Sequence, residues 1–156
     1  DKLLNVVFAV GELGLLMMIF KPPILLPSLI NGAVFVLVSL LAMLLYFYFS
    51  FLVSLTTFWF PEQNGWPQRF LVFMVLEFLA GGFFPLDILP RPIFLSLKYL
   101  PTSFMLHVPS QIYLSRIQGW EIIIDIGMMV IWLIVSKKLA EFMFKRGLKI
   151  YEAYGR

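Results

Sequence analysis

The sequence predicts an all-α integral membrane protein: four transmembrane helices, plus a re-entrant extracellular helical hairpin between the last two. Three observations carry this. First, 61% of the 156 residues are hydrophobic and 13% charged, with a mean hydropathy of +0.92. A soluble domain is nearer half apolar and a quarter charged. Second, Pro22 to Pro61 contains no charged residue, and a span needs roughly 20 apolar residues. Third, the stretch FLAGGFFPLDILPRPIFLSLKYLP, Phe78 to Pro101, leaves the apolar phase, turns back toward it, and stops at another proline.

The first span is placed at 3–20. Asn5, Ala9 and Glu12 share one face there, a polar and small stripe that suits helix packing rather than lipid. Lys21, Pro22 and Pro23 end it. The second span, 28–60, would measure about 50 Å as one helix, against a hydrocarbon layer of about 30 Å. It must tilt, project beyond the bilayer or bend. Pro61, Asn64, Gly65 and Pro67 form the following turn. The third span, 70–85, is short and carries Glu77 near its middle, with Gly81 one turn on.

Residues 86–119 form the hairpin. Each apolar piece, PIFLSLKYL and TSFMLHVPSQIYLSRI, is below the length of a span. Joined, they would bury Lys98, Pro101, His107 and Pro109 in one helix. Breaks of this kind survive at membrane depth only where protein or water covers them. The fourth span, 120–144, begins near Glu121 and Asp125 and ends near Lys137 and Lys138, whose side chains can snorkel. Residues 145–156 are a basic, polar tail.

Four spans put both ends on one side. That side holds Lys2, Arg69, Lys137, Lys138, Lys145, Arg146, Lys149 and Arg156; the other holds Lys21, Arg91, Lys98 and Arg116. The asymmetry predicts cytoplasmic ends for a multi-pass protein of the cell membrane. Charge alone also allows five spans with the N-terminus outside; the prolines and Lys98 weigh against it. The chain opens on Asp1 with no leader visible, so it reads as a piece of something longer.

The chemistry-bearing residues are few. With no cysteine, disulfides and cysteine catalysis are excluded. No Gly-rich loop ends in Gly-Lys-Ser/Thr, no basic run is interleaved with aromatics as nucleic acid needs, and no ligand set converges for a metal. His107, the single histidine, lacks a partner constellation for catalysis and is expected at the interface. Glu77 is open to three readings: contact with a substrate cation, a proton site, or a solvated or paired side chain. Tyr46 and Tyr48 either line a cavity for aromatic or cationic molecules or pack against a neighbour. The basic tail suits anionic headgroups or simply sets orientation.

FLAGGFFPLDILP, LPTSFMLHVPSQIYLSRIQGW and FKRGLKIYEAYG, in this order and spacing, resemble the ABC-type-2 exporter permeases, in the branch around drug and viologen export. The matching positions are Gly81, Pro85, Leu86, Pro109, Ile112, Tyr113, Leu114, Arg116, Gly147, Leu148 and Tyr151; FWF before Pro61 is similar too. The resemblance implies the last four of six spans, with the coupling helix that meets the ATPase absent. It implies an exporter membrane subunit forming half of the path for a hydrophobic or amphipathic substrate. That subunit pairs with separate ABC ATPase subunits, which carry ATP and Mg, and with a second, identical or different permease. No cofactor is expected on this chain. By the same analogy Phe73, Glu77, Gly81 and Phe84 line the path, while Pro85, Asp87, Pro101 and Pro109 shape an extracellular lid. A non-transporting scaffold, a secondary carrier and a membrane enzyme acting on lipids are the alternatives.

Overall fold

The computed structural model of the chain describes residues 2–21, 26–59 and 66–154. All regular structure among them is helical. The bends expected at Pro22–Pro23 and from Pro61 to Gly65 lie outside the described residues.

Helix α1, Lys2–Phe20, is rich in Leu, Met and Val. None of its described side chains is buried. In water that surface would be untenable; against lipid or another helix it is not. Lys21, at φ 42°, takes the left-handed cap, and its N–H donates to Met17 O at 3.0 Å. Helix α2, Leu29–Leu55, starts on Ser28, whose Oγ accepts from the Asn31 N–H at 3.2 Å. It is unbroken and passes into a 3-10 turn at Thr56–Phe58. There the Ser54, Thr56 and Thr57 hydroxyls donate to carbonyls three or four residues back, tightening the chain where the apolar run ends. Leu3–Phe20 and Leu29–Phe58 are the two described segments long and apolar enough to cross a membrane.

Helix α3 is Trp66–Ala80. Pro67 lies in its first turn, where proline is tolerated, rather than in the preceding loop. The helix stops before Pro85. The Gly82 N–H donates to Glu77 O at 2.8 Å and the Gly81 N–H to Phe78 O, with Gly81 at φ +86°. This is a glycine-closed C-terminus. A Cβ on Gly81 would also come 3.1 Å from Leu86 Cγ. Pro85 opens a 3-10 turn, Leu86–Ile88. Two short helices follow, α4 (Arg91–Lys98) and α5 (His107–Tyr113). α5 closes in the same way as α3, with Ser115 at φ 56° in place of glycine. Its hydroxyl accepts from Asn31 Nδ2 at 2.9 Å, which ties the start of α2 to this corner. Helix α6, Trp120–Tyr154, does not stop near Phe144. Lys, Leu and Glu are good helix formers, so the basic tail continues as helix.

The core lies between α2, α5 and α6. Val38, Ala42 and Leu45 repeat at i, i+4 and i+7 on α2 and meet Phe104, Val108, Ile112 and Met129. The proline-rich segment therefore supplies the centre of the packing. At the other end of α2 the contact is closer still. Gly147 of α6 sits against Phe58, so that an added Cβ would lie 2.7 Å from the ring Cγ. Gly147→Ala is expected to cost about 1–3 kcal/mol through overpacking. Thermal unfolding in detergent checks this; an unchanged midpoint would mean that Phe58 yields freely.

Candidate functional site

Two features stand out: a groove and a polar cluster. The groove runs between α2, α3 and the turn before α5. One part, about 350 Å³, is walled by Tyr46, Leu76, Glu77, Gly82, Met105 and Leu106. The other, about 630 Å³, continues between Ser39, Tyr46, Ser50, Met105, Leu106 and Ser110. Tyr46, Met105 and Leu106 belong to both, so the two adjoin. The lining is apolar and aromatic with a few hydroxyls and one carboxylate, the composition of a site for an organic molecule.

The sequence-nominated residues distribute unevenly around this groove. Glu77 is exposed on its wall. The Phe73 ring lies 5.8 Å from that of Tyr46. Gly81 closes α3. Phe84, which an unbroken helix would carry onto the same stripe, packs edge-on to Phe78 at 4.9 Å. It borders a separate apolar hollow with Met74 and Val75. The helix ends at Ala80, so the i, i+11 relation no longer holds at Phe84. Tyr46, one of the two phenols that the sequence offers for lining a cavity or for packing, stands on the wall of both parts. Met105 and Leu106 carry no signal in the sequence.

The polar cluster centres on Asp87. Its Oδ2 accepts from Gln111 Nε2 at 2.6 Å and from Arg116 Nη1 at 3.2 Å. Its Oδ1 is 3.7 Å from His107 Nε2. Two donors, Gln111 of α5 and Arg116 of its C-terminal turn, thus hold the corner after α3, with His107 beside them. His107 and Gln111, one helical turn apart, are both buried. Their i, i+4 spacing on a proline-containing helix was the available signal for Gln111. Of the other nominated positions, Pro85 is exposed at the start of the 3-10 turn, Pro101 is buried, and Pro109 is buried in the first turn of α5. Elsewhere, Asp125 at 4% exposure has an Oδ2 without a hydrogen-bond partner, as has the Thr102 hydroxyl.

His107, expected from sequence at the membrane interface, is buried within the protein and packs edge-on to Phe94 at 5.8 Å. Burial holds its pKa below the usual value; Lys98 pushes the same way and Asp87 opposes. A histidine held neutral favours the folded state above the unfolded value of about 6.5, and that stability is lost as pH falls through the depressed folded value. Unfolding midpoints should therefore drop on acidification below about pH 6.5, and less so in His107→Gln. Identical pH profiles for the two proteins would remove His107 as the cause.

A family model, that of the ABC-2 family transporter protein, matches residues 2–155. No curated protein and no solved structure matches the chain. The family match spans every described helix, including the core formed by α2, α5 and α6 and the groove beside it, and the chain belongs to the ABC-2 family of transporter membrane proteins.

Proposed function

We propose that the chain is the permease subunit of an ATP-driven exporter and that the Tyr46–Glu77 groove is its part of the translocation path. In this reading α1, α2, α3 and α6 span the membrane with both chain ends in the cytoplasm. The segment from Leu86 to Gly119 re-enters as an extracellular lid without crossing. The groove carries the reading: a large, partly hydroxylated channel bounded on one side by a helix bearing a lone carboxylate and on the other by the turn before α5. Phe73 and Glu77 would face the substrate. Gly81, Phe84, Pro85, Asp87, Pro101 and Pro109 would shape the corner and the lid. A second permease copy or homologue would complete the path, and separate ATPase subunits would bind ATP and Mg.

The driving force must enter from outside this chain. The sequence offers no phosphate-cradling loop, and Glu12, Glu77 and Asp125 are too sparse for a proton relay. With the full-length permease in vesicles, uphill movement of a fluorescent lipophilic cation is expected only when the ATPase and ATP are both present. Uphill transport by the permease alone under a proton gradient would sink the exporter reading in favour of a secondary carrier.

A further inference from the structure

The last third of α6 carries cations that the fold leaves unanswered. Lys145, Arg146 and Lys149 are exposed, and the ion pairs at Asp87 do not involve them. Their level relative to α2 is fixed by packing. The apolar run of α2 ends at Phe58, and Phe58 lies against Gly147 and, at 6.1 Å between rings, Phe144. The cations therefore stand level with the end of the α2 candidate span, where a bilayer crossed by α2 would present headgroups. Trp59, the next residue, is of the type that settles there.

A small cavity of about 230 Å³ opens at this level, lined by Thr56, Trp59, Phe142, Met143 and Arg146. The Arg146 guanidinium stacks 4.6 Å above the Phe142 ring, which restricts the arginine and holds its charge beside the cavity rather than in it. The cavity is below the usual size for a drug-sized ligand, and its accessible lining is apolar, the arginine contributing its stem. A ligand that fits places a short apolar segment inside the cavity and an anionic group outside it, on the exposed cations.

We infer that this cavity is a binding site for an anionic phospholipid. The phosphate accepts hydrogen bonds from the Arg146 guanidinium, which suits bidentate contact. Lys149, on the same face one turn on, adds charge without contacting the cavity. The first acyl methylenes lie against Phe142 and Met143. The close Gly147–Phe58 contact keeps the two walls together. This proposal rests on α2 and α6 spanning the membrane, but not on the substrate, the driving force or the chain's orientation.

The test uses the full-length permease in phosphatidylcholine vesicles with and without phosphatidylglycerol. Native mass spectrometry after detergent extraction counts the phosphatidylglycerol retained. Arg146→Ala should lower retention about fivefold, the effect of one cation near a membrane surface, and Arg146→Ala with Lys149→Ala should lower it further. Arg146→Gln keeps the stem packed on Phe142 and serves if the alanine variant misfolds. Lys137→Ala with Lys138→Ala, away from the cavity, should leave retention unchanged. Unchanged retention in both Arg146 variants, or an equal loss in the Lys137/Lys138 variant, would overturn the site. So would displacement of the lipid by inorganic phosphate, which would mark a free-anion site. Loss of ATPase co-purification with lipid retention intact would assign the surface to a protein partner instead.

Discussion

Replacing Asp87 with alanine should loosen the corner between α3 and α4. Gln111 Nε2 would lose its 2.6 Å acceptor while the side chain stays buried. An orphaned buried donor costs about 1–3 kcal/mol. The Arg116 contact adds little, because its side chain is 62% exposed. We expect a loss of about 2 kcal/mol, seen as a fall of several degrees in the detergent unfolding midpoint. The mechanism makes a sharper claim than the magnitude. Gln111→Leu combined with Asp87→Ala removes donor and acceptor together, and replacing both partners by apolar groups can be nearly neutral. The double variant should therefore recover most of the lost stability. Additive losses in the double variant would mean that the hydrogen bond is not what holds the corner.

That cluster also marks where sequence reasoning stops. The limits of α1 and α2 are legible because hydropathy and a serine cap act locally: residues 3–20 and 28–60 were expected, and the helices are Lys2–Phe20 and Leu29–Leu55 with a 3-10 extension to Phe58. The end of α3 was misplaced by a few residues because Pro85 is the louder signal. Gly81 does the work through a left-handed backbone that no composition rule ranks above a proline. The helical tail was hidden by its charge, which reads as loop although Lys and Glu propagate a helix well. The Asp87–Gln111 contact joins residues 24 apart, and the core contact of Phe104 with Val38 and Met129 joins three separate elements. Periodicity speaks only within one element, so it could mark His107 and Gln111 as neighbours without saying what they face. The same limit explains the groove. Glu77 was legible as an unusual charge, but Met105 and Leu106 reach its wall through a turn whose shape depends on Ser103 donating to Lys98 O at 2.6 Å.

Glu77→Lys is expected to abolish transport of a lipophilic cation while leaving the fold intact. Glu77 is exposed on the groove wall, and surface substitutions usually change stability by no more than about 0.5 kcal/mol. The unfolding midpoint should therefore barely move. In a groove lined by Tyr46, Leu76, Met105 and Leu106, a carboxylate is the one charge available to a cationic substrate. Its loss in Glu77→Gln removes a charge-assisted contact of about 1.5–3 kcal/mol, or roughly tenfold or more in apparent affinity. Lysine goes further by placing a like charge in the path. The order wild type, Gln, Lys should hold for cationic substrates and flatten for a neutral one of similar size. A neutral substrate separates electrostatics from shape, because glutamine nearly preserves the volume of glutamate. If cationic and neutral substrates respond alike, Glu77 shapes the wall without recognising charge. If none responds even to lysine, the groove is not on the path and the substrate passes over another face of α3.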